Sequence, residues 1–314
     1  MTGEDLKGII PATVLPMTDD YQPDWDDLKA YMRWLASQGI SAVAVNVDTG
    51  EAPHLTWPER LSVVEAVKEA LGESTPIISG LLANNTEAAV QGARDLKAAG
   101  ADAVLVFPIP AYQGKPLPSE IPYRYHAAIA EGSDIPLILF NLTESLGGVI
   151  LSAETLARLV EIPQVIALKE ASFDAQTFIA VRDALEMASR RITLLTGNDP
   201  FIYESMVMGA EGALIGFGTL GTDLQVKMLE AVRRGDYAAG QAIWDRLKPL
   251  MQVVFGAPAR DYRARTKVAL ATQGVIKRAV VRPPLVPVSE AEESRVRNAL
   301  AEAGLLGVGA AASV

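Results

Sequence analysis

The sequence predicts a (β/α)₈ barrel followed by a C-terminal helical extension. Short runs of apolar and β-branched residues recur along the chain, and stretches with helical periodicity separate them, a pattern typical of parallel βαβ units. Eight such runs fall within about 230 residues, and both the count and the size match a (β/α)₈ barrel. The predicted strands begin near Ile9, Ala42, Ile77, Ala103, Leu137, Val165, Thr193 and Ala213.

Helix start signals lie between the predicted strands. Asp24 precedes an amphipathic segment, and Thr56 with Glu59 has the spacing of a capping box in front of another. Ser152 begins a further helix in the same way. An open, doubly wound sheet is the alternative, but its glycine-rich turn is absent after the first strand, where residues 12–16 are Ala-Thr-Val-Leu-Pro.

The barrel is predicted to span residues 1–234 and the helical extension residues 235–304. Three segments of the extension have a helical pattern without strand signals, at residues 237–254, 260–272 and 289–303. The chain ends in glycine, alanine, serine and valine, so residues 305–314 are predicted to form a flexible tail.

The composition excludes several classes of function. The 314 residues carry a formal net charge of −10 and no basic cluster interleaved with aromatics, which disfavours a nucleic-acid partner. Cysteine is absent, and His54 and His126 cannot supply the imidazole cluster of a zinc-dependent aldolase, so we expect no metal and no cofactor. Since the sequence has no signal peptide and no run of about 18 apolar residues, we expect a cytoplasmic protein without a membrane partner.

Lys169 is the strongest candidate for a catalytic residue. Barrels of this kind place their active groups at the carboxyl ends of the strands, and Lys169 directly follows the apolar run 165–168. Desolvation in the barrel mouth would lower the pKa of a lysine and leave a nucleophilic amine. The alternative is a surface lysine that pairs with Glu170.

Four further turns offer polar groups. Thr49 and Gly50 could form an anion-binding nest from consecutive backbone N–H groups, or a plain turn. Tyr112 lies in a loop rich in proline and glycine, where it could serve the site, pack locally or contact another subunit. Asn141 and Asn198 follow strands five and seven.

Taken together, these motifs resemble those of the dihydrodipicolinate synthase / N-acetylneuraminate lyase family of class I aldolases. The resemblance runs over nearly the whole chain, from residue 8 to residue 285. The motifs that carry it are the Thr-Gly-Glu turn at 49–51, Asn141, Ala-Leu-Lys-Glu at 167–170, Gly-Asn-Asp at 197–199 and Gly-Ala-Glu-Gly-Ala-Leu at 209–214.

The resemblance implies imine chemistry at Lys169. The amine would condense with the keto group of pyruvate or a longer 2-oxo acid, and the protonated imine would act as an electron sink for the neighbouring carbon–carbon bond. In the family, the turn matching residues 48–50 holds the 2-oxo acid carboxylate, and the residue matching Leu214 packs against the methyl end. The predicted substrate-binding residues are Thr49, Gly50, Phe140, Asn198 and Leu214.

The resemblance also implies an oligomer. Family members are usually homotetramers, so we expect a homo-oligomer, either a tetramer or a dimer. A tyrosine matching Tyr112 often reaches towards the site of the neighbouring subunit, which makes Tyr112 a candidate catalytic residue.

Two departures break the usual proton relay of the family. Asp48 stands where the family has a threonine, and Phe140 stands where it has a proton-shuttling tyrosine. We expect Asp48, directly or through a water, to act as general acid and base in place of the phenol, because burial favours the neutral carboxyl. Alternatively, Asp48 binds a backbone N–H or repels carboxylate ligands and so selects a different substrate.

The predicted function is therefore a metal-independent lyase or aldolase of carbon–carbon or dehydratase type, acting on a 2-oxo acid. No arginine occurs within residues 142–148, where lysine-pathway enzymes bind the carboxylate of the second substrate, so dihydrodipicolinate synthesis is disfavoured. The alternative is a catalytically impaired member that binds a 2-oxo acid or regulates. A phosphate-handling isomerase has only the weak glycine pattern at residues 216–218 in its favour.

Overall fold

The computed structural model describes residues 1–307, and the predicted tail beyond residue 307 lies outside the described residues. Eight parallel strands form one sheet in the order β1-β8-β7-β6-β5-β4-β3-β2. The strands are β1 (Ile9–Pro11), β2 (Val43–Val45), β3 (Ile77–Leu81), β4 (Ala103–Val106), β5 (Leu137–Leu142), β6 (Val165–Ala171), β7 (Thr193–Thr196) and β8 (Gly212–Ile215).

The sheet closes on itself between its first two strands. Ala12 and Ala44 form a parallel bridge, and the Thr13 N–H donates to the Ala44 carbonyl at 2.9 Å. The predicted (β/α)₈ barrel is therefore confirmed, and the open-sheet alternative is wrong. The strand positions also agree with the sequence, although β2 begins one residue later and β8 one residue earlier than predicted.

Within residues 1–307, eight helices alternate with the strands, and three more follow the eighth. They are α1 (Trp25–Ala36), α2 (Trp57–Leu71), α3 (Thr86–Ala99), α4 (Glu120–Ser133), α5 (Ala153–Leu159), α6 (Ala175–Glu186), α7 (Ile202–Val207), α8 (Thr222–Arg233), α9 (Tyr237–Val254), α10 (Tyr262–Thr272) and α11 (Glu290–Glu302). Among residues 1–307, no helix is both long and apolar enough to cross a membrane.

Side-chain caps begin several helices as the sequence indicates. The Asp24 carboxylate accepts from the Asp27 N–H at 3.1 Å, and Thr56 and Glu59 form a reciprocal capping box. Ser152 caps α5 through the Thr155 N–H. Each cap satisfies backbone donors that the first helical turn leaves unpaired.

The helical extension packs on the barrel. Helix α9 runs beside α8, and α11 lies against both α9 and α10. Helix α10 begins at Tyr262 rather than at residue 260 because Ala259–Asp261 form a 3₁₀ turn. The division at residues 234 and 235 into a barrel and an extension stays a prediction.

The barrel interior is filled mainly by small and medium apolar side chains. They are Leu6, Ile10, Ala12, Ala42, Ala44, Val47, Ile78, Ala103, Leu105, Ile138, Phe140, Ala167, Ala171, Leu195 and Leu214. Alternate residues of a strand face the same side, so Lys169, between Ala167 and Ala171 on β6, also faces inward. The outer faces of the strands pack against the helices.

Candidate active site

Lys169 lies inside the barrel near the carboxyl end of β6. It pairs in register with Phe140 of β5 and Leu195 of β7, and its Nζ lies 4.5 Å from the centre of the Phe140 ring. Gly197 makes room for the side chain, because a Cβ there would lie 2.6 Å from Lys169 Cε. The lysine is only partly accessible to solvent.

Burial lowers the pKa of Lys169 to about 8, because an ammonium loses hydration in the barrel. The negative charges of Asp199 and Asp48 oppose this shift. Glu170 does not pair with the lysine. It is fully buried, and its carboxylate accepts hydrogen bonds from the Asn198 side chain at 2.6 Å and the Ser172 N–H at 2.9 Å. The surface-lysine alternative therefore has no support in the geometry.

Asp199 is a second titratable group of the barrel mouth. Its carboxylate accepts from the Phe217 N–H at 2.7 Å, which ties the turn after β7 to the turn after β8. Burial raises the pKa of Asp199 to about 6, against the opposing effects of that hydrogen bond and of Lys169. The sequence motif at 197–199 includes this residue, but its role could not be predicted from the sequence.

The turn after β2 places Thr49 and Gly50 at the mouth. Thr49 is buried, and a Cβ built on Gly216 of the opposite turn would lie 3.3 Å from the Thr49 hydroxyl. Close packing favours glycine at position 50, because a Cβ there would lie 3.0 Å from the Thr13 carbonyl oxygen. The two predicted substrate-binding residues thus lie at the same end of the barrel as Lys169.

Asp48 lies at the edge of this turn, and 49% of its side chain is exposed. Its carboxylate forms an ion pair with Arg263 and accepts a hydrogen bond from the Tyr262 hydroxyl at 2.8 Å. Arg263 Nε also donates to the Asp48 carbonyl at 2.8 Å. Burial of the carboxyl, the expected reason for an acid–base role, is therefore not observed. The negative charge of Asp48 is neutralised by Arg263 instead.

Tyr112 and Asn198 both make contacts within the protein. Tyr112 packs edge-on against Tyr125, with ring centroids 6.0 Å apart, and its hydroxyl lies 3.5 Å from His126 Nδ1 in the layer between sheet and helices. Burial raises the pKa of the Tyr112 phenol. The Asn198 side chain donates to Glu170 and accepts from the Phe173 N–H at 2.7 Å. Asn198 therefore holds the loop after β6 in place, and direct substrate contact by either residue stays a prediction.

Phe140 and Leu214 both belong to the barrel interior, as their predicted roles require. The ring of Phe140 meets Phe107 edge-on, with centroids 5.1 Å apart. Phe140 therefore offers the amine of Lys169 an apolar wall and no exchangeable proton. A role for either side chain in substrate binding stays a prediction.

The contacts of α10 with the turn after β2 could not be predicted from the sequence. Tyr262 and Arg263 contact the turn after β2 although more than 200 positions separate them from Asp48 in the sequence. Lys267 forms a fully buried ion pair with Glu51 of the same turn. No local pattern reports such contacts, because they join segments more than 200 positions apart in the sequence.

Comparison with known proteins identifies the family to which the chain belongs. A sequence model of the dihydrodipicolinate synthetase family matches residues 5–303. The chain belongs to this family. The predicted resemblance is thus confirmed, and the chain is a member of a family of lyases.

Two sequence relatives named 4-hydroxy-tetrahydrodipicolinate synthase cover almost the whole chain. The protein of Alcanivorax borkumensis is 33% identical over 303 residues, which are 96% of this chain and 99% of that protein. The protein of Gluconacetobacter diazotrophicus is 31% identical over 303 residues, 96% of this chain and 98% of its own length.

Solved structures agree with the fold. The chloride-inhibited dihydrodipicolinate synthase of Acinetobacter baumannii, complexed with pyruvate, is 30% identical with a TM-score of 0.84 and covers 96% of this chain and 100% of its own. The enzyme of Thermotoga maritima is 27% identical with a TM-score of 0.86, covering 95% and 99%. A further match, 26% identical with a TM-score of 0.87 over 96% and 98%, is described as a monomeric variant, so the oligomeric state of this chain stays a prediction.

Proposed function

We propose that this chain is a Schiff-base lyase that binds pyruvate or another 2-oxo acid covalently through Lys169. The main support is the position of one amine, which lies inside the barrel mouth with a pKa of about 8 and faces an apolar ring. A larger fraction of such an amine is uncharged at neutral pH than of an ordinary lysine. Its nitrogen attacks the keto carbon, the keto oxygen leaves as water, and a protonated C=N bond remains.

The turn after β2 is the proposed carboxylate site. The hydroxyl of Thr49 and the backbone of Gly50 lie at the mouth, and Arg263 cancels the charge of Asp48 beside them. A relative of known structure was crystallised with pyruvate, which supports the same ligand class here. Because Arg263 neutralises Asp48, this carboxylate would not repel the carboxylate of a 2-oxo acid.

Reduction with borohydride in the presence of pyruvate tests this function. The wild-type chain is expected to gain the mass of one reduced pyruvate, because borohydride reduces an imine to a stable secondary amine. Lys169→Met is expected to gain none, since it lacks the nucleophile. Intact-mass spectrometry checks both, and an equal gain in the two proteins would contradict the proposal.

Arg263→Met is expected to weaken pyruvate binding about tenfold. The substitution leaves the Asp48 carboxylate without its cation, and repulsion between this carboxylate and that of pyruvate amounts to about 1–2 kcal/mol. The double variant Asp48→Asn/Arg263→Met is expected to regain most of the affinity, because it removes both charges. Calorimetric titration with pyruvate measures the two constants, and equal losses in the single and double variants would refute charge neutralisation.

A binding protein without turnover is the second candidate, and Phe140 favours it. This ring is next to the reactive amine and cannot move a proton. Exchange of the pyruvate methyl protons for deuterium, followed by NMR, separates the candidates. An enzyme converts the imine to an enamine and exchanges these protons, whereas a binding protein forms the adduct without exchange.

We infer that the electrophile differs from that of the named relatives. Residues 142–148 contain no arginine, and the Glu144 carboxylate in this segment is paired with Lys115 at 2.6 Å. The segment therefore offers no guanidinium to the carboxylate of a second substrate. Formation of 4-hydroxy-tetrahydrodipicolinate, assayed beside the Alcanivorax borkumensis relative, tests this inference, and comparable rates would refute it.

A further inference from the structure

Tyr262, at the start of α10, has its hydroxyl at the barrel mouth. The hydroxyl donates to Asp48 Oδ2 at 2.8 Å and lies 3.5 Å from Thr49 Oγ1. The Phe255 ring stacks on the Tyr262 ring at a centroid distance of 5.0 Å and meets Phe217 edge-on at 6.1 Å. These rings fix the phenol beside the turns that follow β2 and β8.

Arg263 completes the environment of this phenol. Its guanidinium carbon lies 4.8 Å from the centre of the Tyr262 ring, and the same guanidinium pairs with Asp48. A positive charge at this distance stabilises negative charge that develops on the phenol oxygen. Burial raises the pKa of Tyr262 well above its usual value, so the hydroxyl keeps its proton until an acceptor is in place.

Imine formation at Lys169 needs a proton that the inner wall of the barrel cannot give. After the amine attacks, the former keto oxygen is a hydroxyl on the carbinolamine, and it must be protonated to leave as water. The Phe140 ring lies against the amine, and Ala167 and Ala171 flank Lys169 on the inner face of β6, so these side chains carry no exchangeable proton. The buried Asp199 carboxylate is already engaged by the Phe217 N–H at 2.7 Å. The Tyr262 hydroxyl lies 3.5 Å from Thr49 Oγ1, in the turn proposed to bind the 2-oxo acid carboxylate, so the phenol is at the end of the barrel where the carbinolamine would form.

We propose that Tyr262 is the acid of imine formation and that Asp48 returns its proton. The inference rests on the proposed function. The O–H proton of Tyr262 passes to the carbinolamine hydroxyl, the C–O bond breaks, water leaves, and the nitrogen lone pair forms the C=N bond. Asp48, half exposed to solvent, takes a proton from a water molecule and passes it to the phenolate, which restores the phenol, and the hydroxide left from that water passes into bulk solvent.

A time course of adduct formation tests this role. The protein is mixed with pyruvate, samples are reduced with borohydride after increasing times, and intact mass gives the fraction modified. Tyr262→Phe is expected to approach its final level about 100-fold more slowly than the wild type, with the final level at each pyruvate concentration unchanged. A catalyst changes the rate and leaves the equilibrium alone, whereas a residue that only shapes the site changes the final level.

Two further variants make the test decisive. Asp48→Asn keeps an acceptor for the Tyr262 hydroxyl but cannot return a proton, so it is expected to slow adduct formation as well. Tyr237→Phe removes an exposed phenol from α9 and is expected to match the wild type. Wild-type rates in Tyr262→Phe, or a loss confined to the final level, would overturn this proposal alone. No adduct in the wild-type protein would overturn the proposed function and this proposal with it.

Discussion

Lys267→Met is expected to lower the free energy of unfolding by about 3–5 kcal/mol, the usual cost of removing one partner of a buried ion pair. Lys267 and Glu51 are both fully buried and form an ion pair. The remaining Glu51 carboxylate would keep one hydrogen bond, from the Arg282 N–H at 2.7 Å, and lose its cation. The Val280 carbonyl would also lose the Lys267 donor at 2.6 Å.

Urea denaturation measures this loss. The double variant Glu51→Gln/Lys267→Met is expected to lose less than Lys267→Met, because no charge stays buried. Lys227→Met is the matched control, since Lys227 pairs with Asp223 on the surface of α8 with 61% of its side chain exposed, and such pairs contribute about 1 kcal/mol or less. A loss in Lys267→Met no larger than in this control would show that water reaches Glu51.

The rate of imine trapping with pyruvate is expected to rise with pH and to level off near pH 8. Only the free amine attacks, and burial lowers the pKa of Lys169 from 10.5 to about 8. Each pH unit below that pKa reduces the free amine about tenfold, so the rate is expected to fall about tenfold per unit on the acid side. Initial trapping rates at a series of pH values give the midpoint.

Asp199→Asn tests the electrostatic contribution to this pH profile. The negative charge of Asp199 favours the ammonium form of Lys169, so its removal is expected to lower the pKa of the lysine and move the midpoint to lower pH. Asparagine keeps an oxygen that can accept from the Phe217 N–H, so the turn is expected to stay in place. A wild-type profile still rising towards pH 10.5, the pKa of an ordinary lysine, would contradict the desolvated amine.

Local patterns were enough to predict the barrel and the lysine that faces its interior. Apolar runs and helix caps depend on neighbouring residues, so they report strand and helix starts such as Ile77 and Thr56. The two-residue period of a strand also separates Lys169 from Glu170, because successive side chains face opposite sides. One residue therefore faces the barrel interior and the other the surrounding layer.

Contacts between distant segments could not be predicted in this way. The surroundings of Asp48 depend on Tyr262 and Arg263, which reach it only after the extension folds back over the barrel mouth. Glu51 belongs to the predicted anion-binding turn, yet its carboxylate is used by Lys267. Tyr112 illustrates the same limit, since its loop composition gives no direction for the side chain.

Peptide mapping of the borohydride-reduced pyruvate adduct tests the central claim most directly. Lys169 and Lys267 are the natural comparison, because both lie in the protein interior but only Lys267 has its ammonium held in an ion pair. We predict that the reduced pyruvate is found on the peptide containing Lys169 and that Lys267 is unmodified. An adduct on another lysine, with Lys169 unmodified at saturating pyruvate, would contradict the proposed chemistry.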